Sequence, residues 1–370
     1  MEKIYHIFPR RARLPPLTGE AYLGRIDIRP QGREGSATKT EKSRKILSAI
    51  AFLLVLAVTV SLTAAVLRPR HVSYGSNWDV YVKEPKNSID VLYMGGSAAY
   101  GGWNPAVIYA ESGLTGYVMA GSMQPASVTY WYLCEALKTQ SPSLVMLEGK
   151  SLLYGEYTDY MELNIHYMPW GIERIMATVE GAPCEDWLNL FFDLYTNHER
   201  WKELTPGDFK KVLVPPNASP NKGYTALGGV IPQGTEPDVD PMPISEAQYQ
   251  TNLNYFKRIV DLCEKEGIDL IVTINPTFRQ FTDEVFDRVE ADVLAMSPHI
   301  RFLNWADAFS EMGLEPEQHL YDLGHLNVEG AKLFSAYTGA YLKSLGYAPR
   351  EQAEENRRAW QEAAEYWKTR

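Results

Sequence analysis

Residues 46–67, reading ILSAIAFLLVLAVTVSLTAAVL, run for 22 positions without a charge. As a helix rising about 1.5 Å per residue they reach about 33 Å, enough to cross a hydrocarbon core of about 30 Å. Such a segment divides a chain into one part on each side of a bilayer, and it constrains this sequence more than any other feature. Lys42, Arg44 and Lys45 stand before it, and Arg68, Arg70 and His71 after it. Residues 1–45 carry 11 Lys and Arg against 5 Asp and Glu, whereas residues 68–370 carry 25 against 41. The basic excess predicts that residues 1–45 stay in the cytoplasm and that everything after Leu67 lies outside a single-pass anchor. Thr63-Ala64-Ala65 also suits a cleaved signal peptide. The apolar run is long for that, so an uncleaved anchor is expected.

Residues 1–45 are polar, rich in Arg, Pro and Gly, and without periodicity, the composition of a disordered tail. A linker over 68–87 comes after the anchor. The acidic balance of the outer part excludes a nucleic-acid surface, which needs clustered positive charge. Cys134, Cys184 and Cys263 are widely spaced, with no C-x-x-C pair, which speaks against a zinc site or a dense disulfide framework.

Short apolar runs bounded by Gly, Pro or Asn recur at 89–96, 116–121, 143–148, 268–274 and 299–304, and each reads as a strand. Helices are predicted between them: from Asn104 to Ser112, from Pro125 to Thr139, from Glu246 to Glu266, from Phe281 to Met296 and from Val328 to Leu345. Tyr249, Leu253, Phe256, Ile259, Val260 and Cys263 make the third of these strongly amphipathic. This alternation predicts an α/β domain over 88–346, a three-layer sandwich with a mostly parallel five-stranded sheet. Residues 150–245 break the rhythm and read as a large insertion, helical near 171–179 and 187–196. Residues 347–370 read as a polar helical tail with Trp360, Tyr366 and Trp367.

In parallel sheets the chemistry gathers at the carboxyl ends of the strands. Three features fall there. Gly95-Gly96-Ser97 ends the first strand, where a serine can project its hydroxyl and turn its own N–H toward an oxyanion. The same residues would also serve a plain turn. Ala120-Gly121-Ser122-Met123-Gln124 ends the second strand. It offers the Gly121 N–H and the Gln124 amide as oxyanion donors, or a helix N-terminus capped by Ser122. Asp322-Leu323-Gly324-His325 precedes the last helix, where a carboxylate can fix the tautomer of an imidazole that activates a hydroxyl. Asp-x-x-His can also be half of a metal site, but no other His or Cys cluster supplies the remaining ligands, so no metal and no cofactor are expected.

These blocks, in this order, resemble the SGNH/GDSL hydrolase superfamily over roughly residues 88–149 and 246–345. The closer likeness is to its membrane-anchored Gram-positive type, including the family of the D-alanine transfer protein of teichoic acid synthesis. The resemblance implies a flavodoxin-like sheet and Ser97, Gly121, Asp322 and His325 as functional positions. It also implies ester hydrolysis or O-acyl transfer on a cell-envelope polysaccharide or teichoic-acid-like polymer. A transferase would take a membrane-bound O-acyltransferase as its donor partner. The superfamily's third block, G-x-N-D, is missing: the third strand ends Leu147-Glu148-Gly149-Lys150. Gln124 is the first candidate to replace its Asn as oxyanion donor and Asn275 the second, while Glu148 is expected to be solvated or salt-bridged. Trp103, Tyr154 and Tyr157 are candidate substrate-binding rings. Tyr160, Tyr167 and Trp170 could extend them into a sugar platform, or all could cover a sheet edge. The competing expectation is an inactive SGNH-like scaffold that binds glycan or organises an envelope complex.

Overall fold

A computed structural model describes residues 39–70, 74–75, 78–155, 160–214 and 219–370. Tyr157, most of the N-terminal tail and part of the 68–87 linker lie outside the described residues. The chain divides into two compact units, residues 1–56 and 57–370. Helix α1 (Lys39–Leu67) is long and apolar enough to cross a membrane.

The second unit is built on five parallel strands: β1 (Val91–Gly95), β2 (Gly116–Ala120), β3 (Leu144–Glu148), β4 (Asp269–Ile274) and β5 (Ile300–Asn304). Their order across the sheet is β2-β1-β3-β4-β5. The chain leaves β1 toward one side to make β2, then returns to the other side to make β3. That reversal opens a crevice outside the carboxyl ends of β1 and β3, the place where open α/β sheets hold their sites.

Alternation along the strands sends side chains to two cores. Leu92, Met94, Val145, Leu147, Leu270 and Val272 pack under α4 (Ala126–Ala136), α7 (Glu246–Glu266) and α8 (Asp283–Leu294). Val91, Tyr93, Leu144, Met146 and Ile271 face the opposite layer, which contains α2 (Ser97–Gly102), α3 (Pro105–Ser112) and α9 (Val328–Ser344). The helix ends obey their caps. Asn104 accepts from the N–H groups of Ala106 and Val107, with Pro105 in the first turn, and Gly113 closes α3 in the left-handed region.

The structure departs from the sequence pattern in three places. The 347–370 segment is helical as expected, over α10 (Glu354–Lys368), but it is docked rather than free: it packs on α3 and buries Trp360, Ala363 and Trp367, one apolar stripe at helical spacing. Phe281 ends a short strand, Arg279–Phe281, that pairs with Asp238–Asp240, so α8 begins only at Asp283. Within the insertion, α5 (Ile172–Gly181) lies where expected, but the helix expected near 187–196 is two short ones, Trp187–Phe191 and Asp193–Asn197. A further helix, α6 (Pro206–Leu213), stands where no helix is expected. Its signal is nonetheless local: Thr205, Pro206 and Asp208 make a capping box with proline in the first turn.

Candidate active site

Ser97 is the first residue of α2, directly after β1. Gly95 has φ of 134°, in the region closed to other residues, and a methyl there would stand 2.8 Å from Cβ of Glu148. A methyl on Gly96 would meet both Cε2 and the hydroxyl oxygen of Tyr154 at 2.6 Å. The two glycines thus let β3 and the turn after it close in on the strand that carries the serine.

Asp322 and His325 meet by a different device. Leu320–Asp322 and His325–Leu326 form an antiparallel pair in which Asp322 stands opposite His325. Asp-x-x-His is therefore two facing residues across a tight turn, and Gly324 N–H donates to Asp322 Oδ1 at 2.8 Å. His325 Nδ1 lies 2.8 Å from the same Oδ1, and His325 Nε2 lies 2.6 Å from Oγ of Ser97. With the Nδ1 proton given to Asp322, Nε2 is left to accept from the serine hydroxyl. Burial works to raise the Asp322 carboxyl, but the hydrogen bond and charge of His325 outweigh it, aided by the N–H groups of Gly324 and His325. The net position is below the usual carboxylate range. Asp322 is thus ionised at neutral pH, the state that holds the imidazole in one tautomer.

The turn is anchored from beneath. Arg279 N–H donates to the Leu323 carbonyl at 2.6 Å. The Asn327 side chain caps α9 through Gly330 N–H and donates to the carbonyls of Gly229 and Gln318. On the serine side, Asn275 Nδ2 donates to the Ala98 carbonyl at 3.1 Å, and its Oδ1 accepts from Thr273. Asn275 thus fixes the first turn of α2 with one of its two amide N–H groups.

The other expected oxyanion donors are also occupied. Gly121 N–H donates to the Gly95 carbonyl at 3.3 Å. A methyl at Gly121 would stand 1.9 Å from Oδ1 of Asn164, so glycine is required there to admit Asn164 from the insertion. Gln124 is buried with its Nε2 donated to Thr129 at 2.9 Å. The Gly121 N–H expected to hold an oxyanion is thus engaged with β1, and Gln124 has one of its two amide N–H groups engaged.

The expected substrate rings separate in the same way. Trp103 is fully buried between Tyr93 and Phe334, which corrects its reading as a substrate contact: it is core. Tyr167 is buried while Trp170 is exposed, so the rings of the insertion form no single platform. Tyr154 is different. It is half-buried with its hydroxyl against Gly96, and that hydroxyl has no hydrogen-bond partner among the described residues. Burial holds its phenol well above the ordinary value, so it remains a neutral donor. Asn252, on the buried face of α7, secures it by donating to the carbonyls of Leu152 and Tyr154 at 2.8 Å each.

Glu148 is neither solvated nor in a contact ion pair. It is fully buried, with Oε1 accepting from Lys150 N–H at 3.4 Å and Oε2 unpartnered among the described residues. Burial pushes its carboxyl up to about 7 against the pull of Lys150. Lys150 is buried too; burial lowers its ammonium, and its Nζ lies 3.3 Å from the Thr277 hydroxyl. Thr277 Oγ1 is in turn 3.1 Å from the Leu323 carbonyl, so this pair stands behind the Asp322–His325 turn. Among the described residues no group of three or more His, Cys, Asp or Glu is arranged to hold a metal.

No protein-family model matches the chain, and no curated protein matches it.

Proposed function

We propose that the chain is a membrane-anchored serine esterase or O-acyltransferase of SGNH type, with its catalytic domain on the extracytoplasmic side. One observation carries the reading: residues 228 apart in the chain place Ser97 Oγ, both imidazole nitrogens of His325 and the Asp322 carboxylate in one unbroken line of hydrogen bonds. That line is what activates a hydroxyl for attack on an ester carbonyl. His325 takes the serine proton as the tetrahedral intermediate forms and returns it to the leaving alkoxide. Asp322 stabilises the imidazolium in between. The acyl group then passes from Ser97 to water or to a sugar hydroxyl.

The oxyanion falls to the Ser97 N–H, which opens a helix and has no intrahelical acceptor, and to the Tyr154 hydroxyl beside Gly96. An outward-facing domain tethered by α1 suits a cell-envelope polysaccharide or teichoic-acid-like polymer as substrate. A membrane-bound O-acyltransferase would be the acyl donor if the reaction is transfer.

A second reading, an inactive scaffold of the same fold, draws on the bonding of Gly121, whose N–H is engaged, and of Gln124 and Asn275, each with one amide N–H engaged elsewhere. Turnover of p-nitrophenyl acetate by the full chain in detergent separates the two. The enzyme reading expects hydrolysis that falls by at least about 10³-fold in both Ser97→Ala and His325→Ala. Equal rates in wild type and both variants would leave the scaffold.

A further inference from the structure

Helix α1 does not end at empty solvent. The carbonyl of Leu67, its last residue, accepts from the guanidinium of Arg200, and the carbonyl of Arg68 accepts from Nζ of Lys211 on α6. Arg68 pairs with Asp79 at 3.3 Å and Asp193 at 3.7 Å, and its guanidinium stacks over Tyr167 at 4.7 Å. The insertion is thus clamped to the end of the apolar helix. Beside the clamp, Val60, Ser61, Ala64 and Ala65 of α1 share a cavity of about 580 Å³ with Trp170, Phe191, Phe192, Leu194 and Val212.

Depth comes from this packing. If residues 46–67 cross a core of about 30 Å, their last two turns lie within about 11 Å of its edge. Side chains that line a cavity with Val60 and Ala64 stand at that same level. Of these, Trp170 and Phe192 are each 58% exposed, and Leu213 and Val214, which follow the cavity-lining Val212 in the chain, are 81% and 51% exposed. Phe209 on α6 and Trp201, which follows Arg200 in the chain, are exposed as well. More than half of the large apolar side chains exposed outside α1, among the described residues, fall within 170–214. Soluble surfaces scatter such residues singly, and concentration in one stretch marks a partner.

We propose that this face of the insertion is seated in the lipid interface at the C-terminal end of α1, so that the domain is held against the bilayer rather than tethered above it. The occupant is the headgroup and upper acyl region, where Trp and aliphatic side chains gain most while neighbouring cations reach water. The cations here are largely paired: Lys211 and Arg200 share Asp208 at 2.9 and 3.1 Å, and Arg68 pairs with Asp79 and Asp193, the latter also held by Arg174. The seat therefore rests mainly on apolar contact and does not require an anionic lipid. The inference stands on α1 crossing the membrane and is independent of the chemistry at Ser97.

The test uses the full chain in phosphatidylcholine vesicles, with Cys134, Cys184 and Cys263 replaced by Ala and an environment-sensitive NBD label on single cysteines. Val55→Cys reports the span, Phe192→Cys and Leu213→Cys the proposed seat, and Leu333→Cys an exposed apolar position elsewhere. The expected result is quenching of the Val55 label by deep nitroxide lipids and of the Phe192 and Leu213 labels by shallow ones. Only the Leu333 label is quenched by iodide, and this pattern is already present without phosphatidylglycerol. In the chain with its native cysteines, Trp170→Phe should remove a component of tryptophan emission that shallow brominated lipid quenches. The proposal is overturned if the Phe192 and Leu213 labels behave like that at Leu333. It is equally overturned if they are shielded from lipid and iodide alike, which would place a second copy or another protein on this face, or if the Val55 label never meets lipid.

Discussion

The sheet and the 150–245 insertion treat their large apolar residues in opposite ways. In the sheet every strand but β5 is buried on both faces apart from Asp269 at the start of β4, and Tyr93 on β1, with Trp103, Phe256 and Phe334 from the helical layers, has essentially no contact with solvent. In the insertion, Trp170, Phe192, Trp201 and Leu213 are turned outward. The same residue types stabilise the fold in the first region and await a partner in the second. What an aromatic residue contributes is decided by which helix or strand stands opposite it, not by its identity.

That contrast can be broken by substitution, and the largest effect belongs to the core. Trp103→Ala should cost about 3–5 kcal/mol in unfolding free energy, read by urea denaturation, because it empties a fully enclosed site. Little change would mean that Trp103 is open to solvent and available to substrate after all. Tyr154 belongs to the insertion by sequence but to the site by position. Tyr154→Phe should lower kcat for ester hydrolysis by about 10²-fold with KM little changed, since it deletes one oxyanion donor and keeps the ring. The same substitution at exposed Tyr160 should leave kcat alone.

Glu148 sharpens the comparison from the charged side. Its folded-state carboxyl sits near 7 against 4.5 for an ordinary Glu. The folded chain keeps that proton while the unfolded chain releases it, so stability should fall as pH rises from about 4.5 to about 7 and then level off. Glu148→Gln should flatten this slope by about 3 kcal/mol, measured as unfolding free energy at several pH values. An unchanged slope would mean that Glu148 is solvated. The smallest effect is expected at Trp201→Ala, within about 0.5 kcal/mol in detergent, because its ring touches little protein. A loss comparable to that of Trp103 would place Trp201 in a core.

Most of the sheet is legible in local pattern. The five strands are short apolar runs closed by glycine or polar residues, and α7 announces itself by the spacing of Tyr249 through Cys263 and its Gly267 cap. The Asp322–His325 pair is legible because two facing residues of a tight turn are close in sequence. The illegible part depends on distant contacts. Nothing local in Gly121 shows that Asn164 will press on it, or that Asn252 will hold the turn carrying Tyr154. Gly121, Gln124 and Trp103 have residue types suited to a site, yet the Gly121 N–H, one Gln124 amide N–H and the faces of Trp103 are taken by neighbours fixed only when the sheet assembles. Glu148 departs from expectation for the same reason: a carboxylate at a strand end is ordinarily solvated, and only the approach of Gly95 and the turn at 149–153 seals this one.

The central claim is that Ser97 is a nucleophile made reactive by His325. Treating the full chain with a biotinylated fluorophosphonate and locating the adduct by peptide mass tests it most directly. The account predicts a single adduct on Ser97, formed rapidly in wild type and lost in Ser97→Ala and His325→Ala while both variants keep the wild-type melting profile. A folded wild-type chain that takes up no probe, or that carries it on another serine, would contradict it.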